Sequence, residues 1–116
     1  MADIQFGALT STTTTVKQTV VTYTPGASLM LKCILISGCY TTWSATEANL
    51  GTVYLQVGGV DKAEFRIQNT DLDTLAGIVV IPLGDGLQFS GAESVSVHVT
   101  PASTTSMRWT ASLFFQ

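Results

Sequence analysis

One histidine and two cysteines are the side chains of this 116-residue sequence best suited to nucleophilic or acid–base work, and none stands in a setting that supports it. His98 falls in "SVSVHVT" (94–100), where Val95, Val97 and Val99 alternate with Ser94, Ser96, His98 and Thr100. That spacing puts the imidazole on the polar face of a strand as a solvated group, whereas a Ser–His–acid or Cys–His site would need it as the base. Cys33 lies inside the aliphatic strand pattern "LMLKCILIS", where nothing marks the electropositive setting that lowers a thiol's pKa. Six extended residues would hold Cys33 and Cys39 about 20 Å apart, far beyond disulfide reach. Only a tight reversal at Ser37-Gly38 would bring them together, so both read as small buried or half-buried hydrophobes.

Metal and phosphate chemistry fare no better. Asp71 and Asp73 could offer two oxygens from one face, but the further acids and the glycine of a calcium loop are missing. Two cysteines and one histidine at these spacings do not make a zinc site. "GDG" at 84–86 is a turn signal, since no helix follows it and no phosphate-binding lysine accompanies it. The sequence therefore assigns no catalytic, cofactor or metal residues. Tyr40 and Trp43 form an aromatic pair that could stack on a sugar, but such residues are equally at home in a core or a subunit contact, the reading preferred here.

The elements that would position these residues are all strands. A first segment, 1–12, reads as an N-terminal arm: either a frayed terminus, or a strand adding to a neighbouring subunit through Ile4, Phe6 and Leu9. The rest, 13–116, reads as one domain. Residues 13–24 are β-like, and Pro25-Gly26 suits the centre of a type II turn. In 29–37, Leu29, Leu31, Cys33 and Leu35 fall on one face and Met30, Ile34 and Ile36 on the other, as in a central strand or one whose outer face meets another subunit. A long loop is expected over 38–51, then strands at 52–57 and 62–68 around Gly58-Gly59. A buried strand follows at 77–83, and a separate glycine-bounded turn and short strand at 84–91. In 107–115, Met107, Trp109, Ala111, Leu113 and Phe115 share one face, with Arg108, Thr110, Ser112 and Phe114 on the other. About eight strands, no helix and turn signals every 8–12 residues or so predict an all-β, two-sheet antiparallel sandwich of jelly-roll type, with an immunoglobulin-like arrangement as the alternative.

Composition bounds the function. Charged residues make up 11% of the chain, where soluble domains run near about 25%, and threonine and serine fill the gap. Low charge leaves an isolated β-protein poorly protected against edge pairing, and interface cores are depleted in charge; a chain working inside an assembly fits both. The five basic residues are scattered under a net charge of −3, which argues against a nucleic-acid groove. No signal-peptide pattern opens the sequence and no apolar run approaches the roughly 20 residues of a membrane helix, so synthesis in the cytosol without membrane contact is expected.

Four stretches together, "VVTYTPGASLMLKCILISG", "TVYLQVGG", "IPLGDGLQF" and "SVSVHVT", resemble a pattern in small bacteriophage virion β-sandwich proteins. The resemblance spans residues 16–100 and rests on turns and strands, not on signature residues; it departs at 38–51, which is longer and more aromatic. It implies a non-enzymatic virion component made in the host cytoplasm. The foremost form is a head decoration (cement) protein that binds the major capsid protein or other virion proteins as a homotrimer. The alternative is a receptor- or glycan-binding tip, or a neck or tail-fibre part, using Tyr40 and Trp43. The contact residues expected are Ile4, Phe6, Tyr40, Trp43 and Phe114.

Overall fold

In the computed structural model, which describes residues 3–11, 16–26, 29–40, 49–68, 79–89, 92–102 and 107–116, the regular elements are β-strands throughout. Eight lie among the described residues: β1 (Asp3–Ser11), β2 (Gln18–Tyr23), β3 (Leu29–Tyr40), β4 (Asn49–Val57), β5 (Val60–Gln68), β6 (Val79–Phe89), β7 (Val95–Pro101) and β8 (Met107–Phe115). The pairing is nested and antiparallel: β1 with β8, β2 with β7, β3 with β6, β4 with β5. Two lateral pairings, β3 with β8 and β4 with β7, gather the strands into sheet A, in the order β1-β8-β3-β6, and sheet B, in the order β2-β7-β4-β5. A four-fold nested ribbon folded over on itself is the jelly roll the patterning predicts, and the immunoglobulin-like alternative is set aside. The innermost turn of the ribbon, Gly58-Gly59, has φ of 60° and 82°, the left-handed pair that a two-residue hairpin requires. Segment 3–11 lies in the chain's own sheet as β1, paired with β8 along its length.

The core forms between the sheets. β8 contributes Met107, Trp109, Ala111, Leu113 and Phe115, and β7 contributes Val95, Val97 and Val99, each buried as its alternation predicts. Val53, Leu55, Ile67, Val20 and Val21 complete sheet B's share. The consecutive valines Val20 and Val21 are both buried because the β2–β7 register shifts between Thr19 and Val21. The Tyr23 ring meets Phe115 across the sheets at 5.5 Å, tilted by 56°.

Four expectations are corrected. Uninterrupted alternation along β3 puts Leu31 and Ile34 on opposite faces, yet both are fully buried, with Ile36. The register of β3 against both neighbours shifts between Leu31 and Cys33, so Lys32 is bulged out and the inward phase changes there. Without the bulge, the phase of Ile34 and Ile36 would carry the Lys32 ammonium into the core. Burying those two isoleucines contributes about 1.5–3 kcal/mol each. A disturbed ladder hydrogen bond costs about 0.5–1.5 kcal/mol, so the bulge wins. Second, 77–83 and 84–91 are not separate strands: β6 runs through both, and residues 83–86 bulge out opposite Lys32. Third, β6 is half-exposed and not buried, because it is the edge of sheet A; Pro82, which has no N–H to give a ladder, fits such an edge. Fourth, the 38–51 loop is shorter than expected, since β3 continues to Tyr40 and β4 begins at Asn49; residues 41–48, with Trp43 and Glu47, lie outside the described residues, as do Asp71 and Asp73. Cys33 is a free thiol, and β3 runs unbroken through Ser37-Gly38 to Cys39 and beyond.

Gly38 sits opposite Trp109 in the β3–β8 register, and a Cβ there would stand 2.5 Å from Cζ3 and 2.6 Å from Cε3 of the indole. On the other sheet, a Cβ on Gly51 would come within 3.2 Å of Cζ2. Two missing side chains thus make the slot for a fully buried tryptophan, whose indole N–H meets no acceptor among the described residues. Gly38→Ala should therefore lower stability by about 1–3 kcal/mol, the range for overpacking a filled core. Urea denaturation of a double-mutant cycle checks the cause: the same substitution should cost less in a Trp109→Phe background, which lacks the clashing benzo ring.

Candidate interaction surfaces

Each sheet leaves one face outside the core, and the two are chemically different. On sheet A the residues between the buried ones of β8 are Arg108, Thr110, Ser112 and Phe114. The register sets Phe114 between Ile4 on β1 and Cys33 on β3, and Cys33 beside Pro82 on β6, so one apolar row crosses all four strands. The next row aligns the Phe6 position, Ser112, Leu35 and Val80. Ile4 is 41% exposed and Val80 49%, while Phe114, Cys33 and Leu35 are half-buried. Charge stands at the margins of these rows: Arg108 near the opposite end of β8, and the bulged Lys32, whose ammonium donates to the Asp85 carbonyl at 2.8 Å.

Ile4 and Phe114 are thus brought together, with Phe6 one row away on the same strand as Ile4. Tyr40 is not part of this group. It pairs in register with Met107, seven residues back along β8, or about 23 Å from the Phe114 row. Cys33, Leu35, Val80 and Pro82 join the face although nothing in their own spacing marked them. The signal that could have found them is Lys32: a lysine in phase with two core isoleucines implies a bulge, and the bulge turns Cys33 and Leu35 outward.

Sheet B's outer face is polar and stitched together. Lys17, just ahead of β2, places its ammonium 3.8 Å from the Tyr54 ring centroid and donates to Asp61 Oδ2 at 2.8 Å. Gln56 Nε2 donates to Asp61 Oδ1, also at 2.8 Å. Hydrogen bonding from Lys17, then from Gln56, holds the Asp61 carboxyl below its usual 3.8. Asp61 shares this face because Lys62 is a bulged extra residue between Ala63 and Asp61. His98 is half-buried here and not simply solvated: Nδ1 lies 3.2 Å from Thr19 Oγ1 and Nε2 2.9 Å from Ser96 Oγ. Burial holds the imidazole below its usual 6.5, the Lys17 charge acts in the same direction, and Asp61 opposes them.

The Ser96–His98 distance is one a nucleophile and its base would show. Ser96 is only 6% exposed, two residues away on the same strand, and His98 presents Nδ1 to a threonine hydroxyl where a catalytic triad has a carboxylate. The Thr19–His98 contact fastens β2 to β7, and the Ser96–His98 contact lies within β7. Among the described residues no three His, Cys, Asp or Glu side chains gather as a metal site would require, and no helix is long and apolar enough to cross a membrane.

No family model matches the chain, and no curated protein matches it. Solved structures do. A chain of the cyanophage Pam1 capsid asymmetric unit superposes with a TM-score of 0.60 at 15% identity, over 98% of this chain and 83% of that one. A chain of the acidic stable capsid of Helicobacter pylori bacteriophage KHP30 gives 0.55 at 8% identity, over 100% and 94%. The STIV MCP gives 0.59 at 9% identity, over 99% of this chain but 41% of that one. The fold is that of phage and viral capsid jelly rolls.

Neighbouring phenylalanines separate the outer face from the core. Phe115→Ala should cost about 3–5 kcal/mol in urea denaturation, as for a buried ring. Phe114→Ala, losing only a half-buried ring, should cost about 1 kcal/mol. Equal losses would mean that Phe114 is a core residue and the outer row is not a surface.

Proposed function

We propose that this chain is a non-enzymatic structural component of a phage virion, and specifically a decoration (cement) protein that binds the head and stabilises it. The observation that carries the reading is the extent of the capsid likeness. Nearly the whole of a chain from each of two phage capsids aligns with nearly the whole of this one, so a subunit little larger than a single jelly roll has a place in such shells. The surface chemistry agrees with it. A chain with 11% charged residues and an apolar row across four strands has one face suited to burial against protein.

In this reading the protein acts as a homotrimer, seated where subunits of the major capsid protein meet. Ile4, Phe6 and Phe114 contribute contacts from the sheet A face, and Tyr40 and Trp43 contribute others. The N-terminal segment, held in the chain's own sheet as β1, takes part through the Ile4 and Phe6 positions of that face and not as a free arm. The mechanism is burial of apolar area across subunit boundaries, which stabilises the shell against internal pressure without any chemical step.

Particles assembled without the protein should release DNA, or break, at a lower temperature than complete ones in a thermal-release assay. Quantitative mass spectrometry of complete particles should find hundreds of copies. Unchanged particle stability would overturn the cement role, and a handful of copies would move the protein to a neck or tail-fibre position.

A further inference from the structure

The polar face of sheet B contains an arrangement that the virion role does not use. Lys17 begins at the β2 edge, and its ammonium ends over Tyr54 on β4 and against Asp61 on β5. Between β2 and β4 lies β7, where His98 is in register with Thr19 on one side and Tyr54 on the other. One side chain therefore ties the lead-in to an edge strand to β4 and β5, and the only histidine of the chain, on the strand between, pairs in register with Tyr54.

We propose that His98 is an acid-sensitive release for this tie: its protonation places a second cation beside Lys17 and detaches the lysine from Tyr54 and Asp61. The hydrogen bonds give the step its chemistry. Neutral imidazole has one N–H and one acceptor nitrogen, so one hydroxyl accepts from it and the other donates to it. Imidazolium has two N–H groups, so Thr19 and Ser96 must both accept. The hydroxyl that had been donating loses its acceptor, which is costly where that hydroxyl is the buried Ser96.

The groups facing His98 are Lys17 from the β2 side, Tyr54 on β4, and on β5 Asp61 with Glu64, which pairs with Tyr54; Arg66 stands one row further on. Asp61 pairs with Lys17 and acts on His98 as well. The order of protonation is set by direction. His98 lies below 6.5, so its stabilising neutral form is lost as pH falls below the unfolded value, where the unfolded chain takes the proton first. Asp61 lies below 3.8, so it remains charged throughout that window and is lost as a partner only in stronger acid. Release between neutrality and pH 4 thus belongs to His98.

Side-chain NMR of the full chain, from pH 7.5 down through the Asp61 titration below 3.8, tests this. The His98 ring should titrate with a midpoint below 6.5, and the Tyr54 ring and Lys17 side-chain signals should move with the same midpoint. In His98→Gln, which keeps one donor and one acceptor, the Tyr54 and Lys17 signals should stay fixed until Asp61 titrates. Lys17→Met should raise the His98 midpoint and Asp61→Asn should lower it, two variants that remain informative if His98→Gln folds poorly. Tyr54 and Lys17 signals that follow only the Asp61 titration in the wild type, or that still move with a midpoint near 6 in His98→Gln, would overturn the proposal.

Discussion

A lysine cannot be carried into an apolar core without a partner, and in this jelly roll that single prohibition at Lys32 decides what both faces of sheet A become. The bulge that keeps its ammonium outside lets Leu31 and Ile34 both point inward, although they are three residues apart in a structure of period two. The same shift turns Cys33 and Leu35 outward, beside Phe114 and Ser112 of the neighbouring strand. The core of β3 and the apolar outer rows are therefore one consequence seen from two sides. The opposing bulge of residues 83–86 supplies the Asp85 carbonyl that receives the displaced ammonium.

This explains which parts of the fold were legible in the sequence. β7 and β8 have no bulge between their core positions, so Val95, Val97, Val99 and the five inward residues from Met107 to Phe115 read correctly from alternation alone. β2, β3, β4, β5 and β6 each carry an irregularity, and alternation misleads wherever an extra residue enters. It separated Leu31 from Ile34 and cut β6 in two at its glycines. The outer row was half-legible: Ile4 and Phe114 stood out as apolar residues on arm and strand, but their direct pairing is a product of the β1–β8 register. The sheet B network was not legible at all. Lys17 and Asp61 are 44 residues apart, and Thr19 and His98 are 79 apart, so only the nested topology brings them together.

The two outer faces divide the labour that low charge imposes on the chain. Sheet A's face concentrates apolar side chains in aligned rows, the arrangement that buries most area against a flat partner. Sheet B's face is covered with hydroxyls, an amide and a paired acid whose hydrogen-bonding capacity is largely spent internally, which leaves little of it to offer a partner. A protein with so few charges could not make both faces apolar without aggregating. Making both polar would leave no face suited to an assembly. The asymmetry fits a subunit with one side against protein and the other against water.

The strand edges follow the same logic. On one side of the sandwich β1 and β2 close on each other: a Cβ on Gly7 would run into the Val20 carbonyl and the Val21 side chain, so no strand could insert there. On the other side lie the two remaining edges, β6 and β5. β6 is protected by Pro82 and by the bulge at 83–86. β5 holds Asp61, Lys62, Glu64 and Arg66, and Lys62 also breaks its register. A chain sparing with charge thus places four charged residues on the β5 edge. Edge-to-edge growth is discouraged there, while the apolar rows of sheet A carry no such protection.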